Sequence, residues 1–142
     1  MTTEAKYVLG IDLGTTNSVL AYARLDTEQP TIEVLPVPQL VAPSTVESSG
    51  LLPSFLYLGS PEESKAGALD VPWAKRRDFA VGLYAQKQSA ESPQRTVSGV
   101  KSWLCHARVD RRQPILPWQA PDEVPKISPV VASQRYLEHL AA

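Results

Sequence analysis

An α/β fold is what this sequence predicts, and three observations predict it. A short apolar run, Tyr7 to Leu13, stops at Gly14 and resumes from Ser18, the pattern of a β-hairpin. Two Ser-Pro pairs, Ser92-Pro93 and Ser128-Pro129, stand where helices begin, with serine as N-cap and proline at the first helical position. Twelve of the 13 prolines fall between Pro30 and Pro72 or between Pro114 and Pro129. Proline fixes φ and removes a backbone donor, so those stretches exclude long helices and central strands.

In chain order, Tyr7 to Leu13 reads as a buried strand and Ser18 to Leu25 as its hairpin partner. The link Gly14-Thr15-Thr16-Asn17 suits a tight turn, since glycine admits φ > 0 and Thr and Asn bond locally to backbone. A third strand is expected at Thr31 to Leu35, ended by Pro36 and Pro38. Val41 to Gly50 reads as irregular, Ser54 to Leu58 as a short strand, and Ser60 to Asp70 as a loop. Phe79 to Gly82 is a further short strand and Leu83 to Ala90 a helix. After Ser92-Pro93, the spacing of Val97, Val100 and Leu104 predicts one apolar stripe on a second helix. Gln113 to Lys126 is expected to be extended and anchored by Ile115, Leu116 and Trp118. Ser128-Pro129 opens a last helix whose apolar face holds Val130, Leu137 and Leu140. It meets no stop signal before Ala142, so the chain is expected to be a truncated piece of a larger domain.

The 142 residues are 43% hydrophobic and carry 14 basic against 15 acidic side chains, a net charge of −1. That balance gives no electrostatic reason to bind nucleic acid or an anionic membrane. A single cysteine, Cys105, cannot close an internal disulfide. No stretch approaches the roughly 20 apolar residues of a membrane helix. The N-terminus lacks a basic region leading into an apolar one, so a cytoplasmic location is expected.

The chemically informative segment is Gly10-Ile11-Asp12-Leu13-Gly14-Thr15-Thr16-Asn17-Ser18. Asp12 closes a strand read as buried, where an ionised carboxylate needs a compensating partner, and a hydrated Mg2+ would serve. Gly14, Thr15, Thr16 and Asn17 then present backbone N–H groups and hydroxyls at a hairpin tip, which can hold a polyphosphate without lysine. The bland alternative is an ordinary hairpin whose aspartate caps its own turn.

This segment resembles the first phosphate loop of the Hsp70 chaperones, members of the actin-like and sugar-kinase superfamily of ATPases. Further along, Leu52-Pro53-Ser54-Phe55-Leu56 is similar to the stretch where a Pro-Ser opens a strand in that family. So is the block made by Val81-Gly82, Ala85 to Gln88, Ser92-Pro93, Thr96 and Val100-Lys101. Ile127-Ser128-Pro129 is similar to the start of the last helix of the family's first peripheral lobe. The resemblance implies a partial ribonuclease-H-like (actin-like ATPase) lobe at 1–40, carrying the hairpin and third strand. A peripheral α+β lobe would follow at 41–142, truncated in its last helix.

It also implies ATP and Mg2+ as cofactors. Asp12 would hold the metal's water shell, and Gly14, Thr15, Thr16 and Asn17 the β- and γ-phosphates, with Thr15 near the γ-phosphate. The family's catalytic lysine aligns here with Gln86, a neutral residue that cannot supply the cationic stabilisation of a transferring phosphoryl group; either Lys87 substitutes through a local shift or hydrolysis is weakened. Apolar peptide clients and co-chaperones would engage regions beyond this chain. The strand edge left bare by truncation is expected to join two copies as a homodimer. Two rival readings are a non-catalytic interaction module, favoured by Gln86, and a sugar kinase, for which no acceptor site is evident. Cys105, His106 and His139 have no metal-ligand spacing. Lys75-Arg76-Arg77 and Arg111-Arg112 read as solvated surface, and Trp73, Trp103 and Trp118 as packing residues.

Overall fold

A computed structural model describes residues 3–142. The expected hairpin is present, formed by β1 (Tyr7–Leu13) and β2 (Asn17–Arg24), antiparallel from Tyr7↔Arg24 to Leu13↔Ser18. The third strand is shorter than expected, β3 (Glu33–Val34), and pairs with β2. β1 is not buried. Every residue from Tyr7 to Asp12 is exposed, and β1 pairs only with β2 among the described residues. The apolar run was read as buried because its composition suits a strand covered on both faces. Here β1 is an edge strand.

The stretch read as irregular is a second hairpin, β4 (Val37–Ala42) and β5 (Thr45–Ser49), with Ser44 at φ 57° in its turn. Pro38 hid it. A two-stranded ribbon has a free outer edge on each strand, where a missing donor costs nothing. After it come β6 (Leu52–Pro53), which pairs with β2, and β7 (Leu56–Leu58). The expected loop at 60–70 contains helix α1 (Pro61–Ala66). Ser60 accepts from the Glu63 amide while the Glu63 carboxylate accepts from the Ser60 amide, and Gly67 closes the helix at φ 70°. The Ser-Pro device read at Ser92 and Ser128 was thus also present at Ser60.

β7 is the centre of a three-stranded sheet with β8 (Phe79–Val81) and β9 (Thr96–Val97), and α2 (Leu83–Glu91) packs against it. Ser92-Pro93 does not start a long helix. It begins a single 3-10 turn at Pro93–Arg95, and the Ser92 hydroxyl makes no cap. Two β-branched residues follow, and Val97 pairs with Leu56 in the sheet. Gly99, at φ 62°, then resets the chain for α3 (Val100–Leu104). Val97 and Val100 both reach the core, but from different elements.

α4 (Pro129–Ala141) forms as expected, with Ser128 accepting from the Val131 amide. Its buried face is Pro129, Ala132, Tyr136, His139 and Leu140. Val130 and Leu137 lie outside that face, exposed at 38% and 42%. In 113–126 the chain is held by Leu116, whose backbone pairs with Ile127, while Trp118 is exposed. Trp73 is exposed too. Arg77, read as solvated surface, is instead buried, with its guanidinium over the Phe79 ring at 4.3 Å.

The main core brings Leu20 of β2 together with Leu52, Leu56, Val81, Val97, Val100 and Tyr136. This core joins the first hairpin to the later sheet and to α3 and α4. A second core around Leu40, Tyr57, Leu69 and Tyr84 lies between the ribbon and α2. Gln39 is fully buried between them. Its Nε2 donates to Leu51 O at 3.0 Å and Val37 O at 3.3 Å, and its Oε1 accepts from the Leu83 amide at 2.9 Å. It therefore caps α2 from 44 residues away, because Gly82 has no side chain to do so.

Candidate functional site

The turn between β1 and β2 needs glycine at 14 for contact rather than for φ. A Cβ there would stand 2.2 Å from the Asn17 carbonyl oxygen, far inside any tolerable approach. Ser54, just past β6, fixes the turn from beneath. Its amide donates to Thr16 O at 2.8 Å, its hydroxyl donates to Gly14 O at 2.8 Å, and its Oγ lies 3.1 Å from the buried Ser18 Oγ. The single Ser54 proton goes to a carbonyl, which can only accept, so Ser18 is the donor between the two hydroxyls. Below this relay lies the core; above it Thr15 and Thr16 are exposed and Asn17 half-buried.

A narrow cleft beside the turn is lined by Gly14, Thr15, Ser54, Lys101, Ser133 and Tyr136. Lys101 stands on α3, which follows Gly99 at φ 62°, and lines the same cleft as Gly14 and Thr15. Tyr136, from α4, is buried. Loss of solvation pushes its phenol well above the ordinary tyrosine range, and its hydroxyl has no partner among the described residues. The corner thus offers exposed hydroxyls and turn amides, and Lys101 is the basic residue that lines the cleft. The cleft itself, about 10 Å3 and walled also by Leu13, Val100 and Leu104, has room for one water, so an anion could meet only the exposed outer side of the turn.

Of the residues singled out in the sequence, Gly14, Thr15, Thr16 and Asn17 come together at this turn. Asp12 is close by on β1, paired in register with Val19, and is exposed. Its carboxylate therefore does not need a cation to offset burial, which was the reason given for placing one there. Lys87 is elsewhere: from the exposed side of α2 its ammonium donates to Val41 O at 2.9 Å. Gln86 lies on the same helix. Ser54, which bonds to the turn, and Lys101, which lines the cleft beside it, stood inside the segments Pro53-Ser54 and Val100-Lys101 without being assigned a role.

No family model matches the chain. Chaperone protein DnaK of Thermotoga neapolitana is 32% identical to it over 101 residues, which is 71% of this chain and 13% of that protein. DnaK of Thermotoga maritima and of Thermotoga petrophila match over the same extent with the same identity. The similarity is to Hsp70 chaperones. It is distant, and the chain spans about an eighth of the length of the curated relatives it matches. It supports an Hsp70-like origin for a mixed α/β chain of several antiparallel sheets. No helix among the described residues is long and apolar enough to cross a membrane.

Proposed function

We propose that this chain is the opening part of the ATPase domain of an Hsp70-type chaperone, and that the Gly14–Asn17 turn is a phosphate-binding loop of that domain. The observation that carries the reading is the glycine turn held from beneath by Ser54 with its threonine hydroxyls exposed, and Lys101 lining the cleft next to it. In this reading residues 1–40 belong to the actin-like core and 41–142 to a peripheral lobe. Thr15 and Thr16 donate to phosphate oxygens with the turn amides, and Lys101, rather than Lys87, supplies the neighbouring positive charge.

The described residues contain no cluster of three or more metal-ligating side chains. Mg2+ keeps most of its waters and is held by one or two carboxylates and the phosphates themselves. Asp12 is the carboxylate available, and being exposed it can meet a hydrated ion. The metal, when bound, neutralises phosphate charge. The whole protein would couple ATP hydrolysis to capture and release of apolar peptide, with clients and co-chaperones engaging its other parts.

Titration of the 15N-labelled chain with ATP·Mg2+ tests the site. With one loop of the cleft present, binding is expected near 1 mM, about −4 kcal/mol. Amide shifts should concentrate at Thr15, Thr16 and Asn17. Lys101→Ala should weaken the response about tenfold and Lys87→Ala leave it unchanged. Shifts centred away from the turn, or sensitivity to Lys87 alone, would overturn the assignment.

The same reading accounts for the bare β1 edge as a surface normally covered within the parent domain. In this chain it is free to pair with a second copy about a two-fold axis, through Tyr7, Val8, Leu9 and Ile11. Light scattering at micromolar concentration should give a dimer, and Leu9→Lys a monomer. A monomer of the unsubstituted 142-residue chain would refute the pairing.

A further inference from the structure

We propose that Ser54 is the positioning residue of the candidate phosphate loop, the group that turns the backbone N–H of Thr15 and of Asn17 outward to the ligand. This role rests on the reading of the Gly14–Asn17 turn as a phosphate loop. It adds the residue outside the turn that sets the direction of the turn's donors.

A peptide group is planar and trans, so its C=O and its N–H point in opposite directions. Whatever holds the carbonyl of one residue therefore aims the amide of the next. Ser54 holds two carbonyls of the turn. Its hydroxyl donates to Gly14 O at 2.8 Å, and its own amide donates to Thr16 O at 2.8 Å. Ser54 is only 3% exposed and lies beneath the turn, so both carbonyls face inward. The amides that share those two peptide groups, Thr15 N–H and Asn17 N–H, then face away from Ser54. Thr15 is an exposed residue, and its amide has no backbone acceptor among the described residues.

An ordinary four-residue turn would satisfy itself, with the amide of Asn17 donating to Gly14 O. No such bond is present here, because Ser54 has taken that carbonyl. The serine thus replaces the turn's own internal bond and leaves the Asn17 amide free of it. The residue type matters as well. Ser18 donates to the Ser54 hydroxyl, so the one Ser54 proton stays committed to Gly14 O. An amide aimed in advance binds an anion without first having to order its peptide plane.

The experiment is 15N NMR of the 142-residue chain with ATP·Mg2+, read amide by amide. In the unsubstituted chain the Thr15 amide should exchange readily with solvent, and ATP·Mg2+ should slow that exchange and shift Thr15 and Asn17 together. Ser54→Ala removes the hydroxyl but keeps the Ser54 amide on Thr16 O. Its Thr15 shift should be lost and its Kd raised about tenfold, the equivalent of one bond to a charged group, while the Asn17 shift persists at saturation. Ser54→Thr restores the hydroxyl and should restore the Thr15 shift. Ser18→Ala removes a buried bond from the same relay but leaves Ser54 on Gly14 O, so its Thr15 shift should remain; a general loss of stability would move both variants alike. A Thr15 amide already protected in the free chain would mean that its N–H faces inward, and would overturn the proposal even if Ser54→Ala does not fold. A full Thr15 response in folded Ser54→Ala would overturn it and leave the phosphate-loop reading standing. Absence of any response at the turn of the unsubstituted chain would overturn that reading and the role of Ser54 with it.

Discussion

Replacing Ser54 by alanine probes the relay that fixes the hairpin turn. The hydroxyl order is Ser18 to Ser54 to the Gly14 carbonyl, with Ser18 fully buried and Ser54 only 3% exposed. Ser54→Ala removes the bond to Gly14 O and also strands the Ser18 proton where water cannot reach it. A net bond is worth about 0.5–1.5 kcal/mol and a stranded buried donor about 1–3 kcal/mol, so the expected loss is about 2–4 kcal/mol. Ser18→Ala is milder. Ser54 keeps its own acceptor and loses only an incoming bond, at about 0.5–1.5 kcal/mol. The double variant no longer holds a stranded donor, so it should cost less than the two single changes combined, by roughly 1–2 kcal/mol. Urea unfolding of the four proteins, with slopes checked for constancy, measures this directly. Equal costs for the two single changes, or strict additivity in the double, would refute the assigned direction of the relay.

Other consequences follow from buried groups described above. Tyr136→Phe deletes a hydroxyl that has no partner, so stability should stay level or rise by up to about 1 kcal/mol; a loss larger than that in thermal or urea unfolding would show that the hydroxyl is bonded. His139 is held below its ordinary pKa of 6.5, so the unfolded chain binds its proton more tightly than the folded one. Its contribution should be complete above pH 6.5 and fall as the pH drops through 6.5 toward the folded value, by at most about 1.4 kcal/mol per pH unit. Unfolding in phosphate-free buffer between pH 7.5 and 5 should show this slope, and His139→Gln should flatten it.

Elements whose signals are local were legible in the sequence. The β1–β2 hairpin rests on an apolar run and a glycine turn, and α4 on Ser128 and Pro129, all adjacent in the chain. α1 was equally local, and was missed because six residues are too few to show an apolar face. The helix expected at Ser92 fails for the opposite reason: its cap signal is local, but Val97 gains more by pairing with Leu56 than by continuing a helix. Pro38 argued against β4 only because the sequence does not tell an edge from a centre. At the candidate site the glycine turn was legible, and the place of Lys101 in the cleft beside it was not. Whether Lys87 or Lys101 meets the turn depends on how α2 and α3 pack, which no spacing within either helix encodes.

Gln39 has a consequence for the order in which the chain folds. α2 opens on a glycine and has no capping side chain of its own, so as an isolated segment it has little reason to nucleate. Its first amide to be satisfied from outside, that of Leu83, waits for a carboxamide 44 positions earlier to arrive on the β4–β5 ribbon. Closing so long a loop is an entropic cost met before any helical bond repays it. Ribbon and helix should therefore appear in a single late step, and the Leu83 amide should exchange with solvent no faster than the amides of the ribbon that shields it.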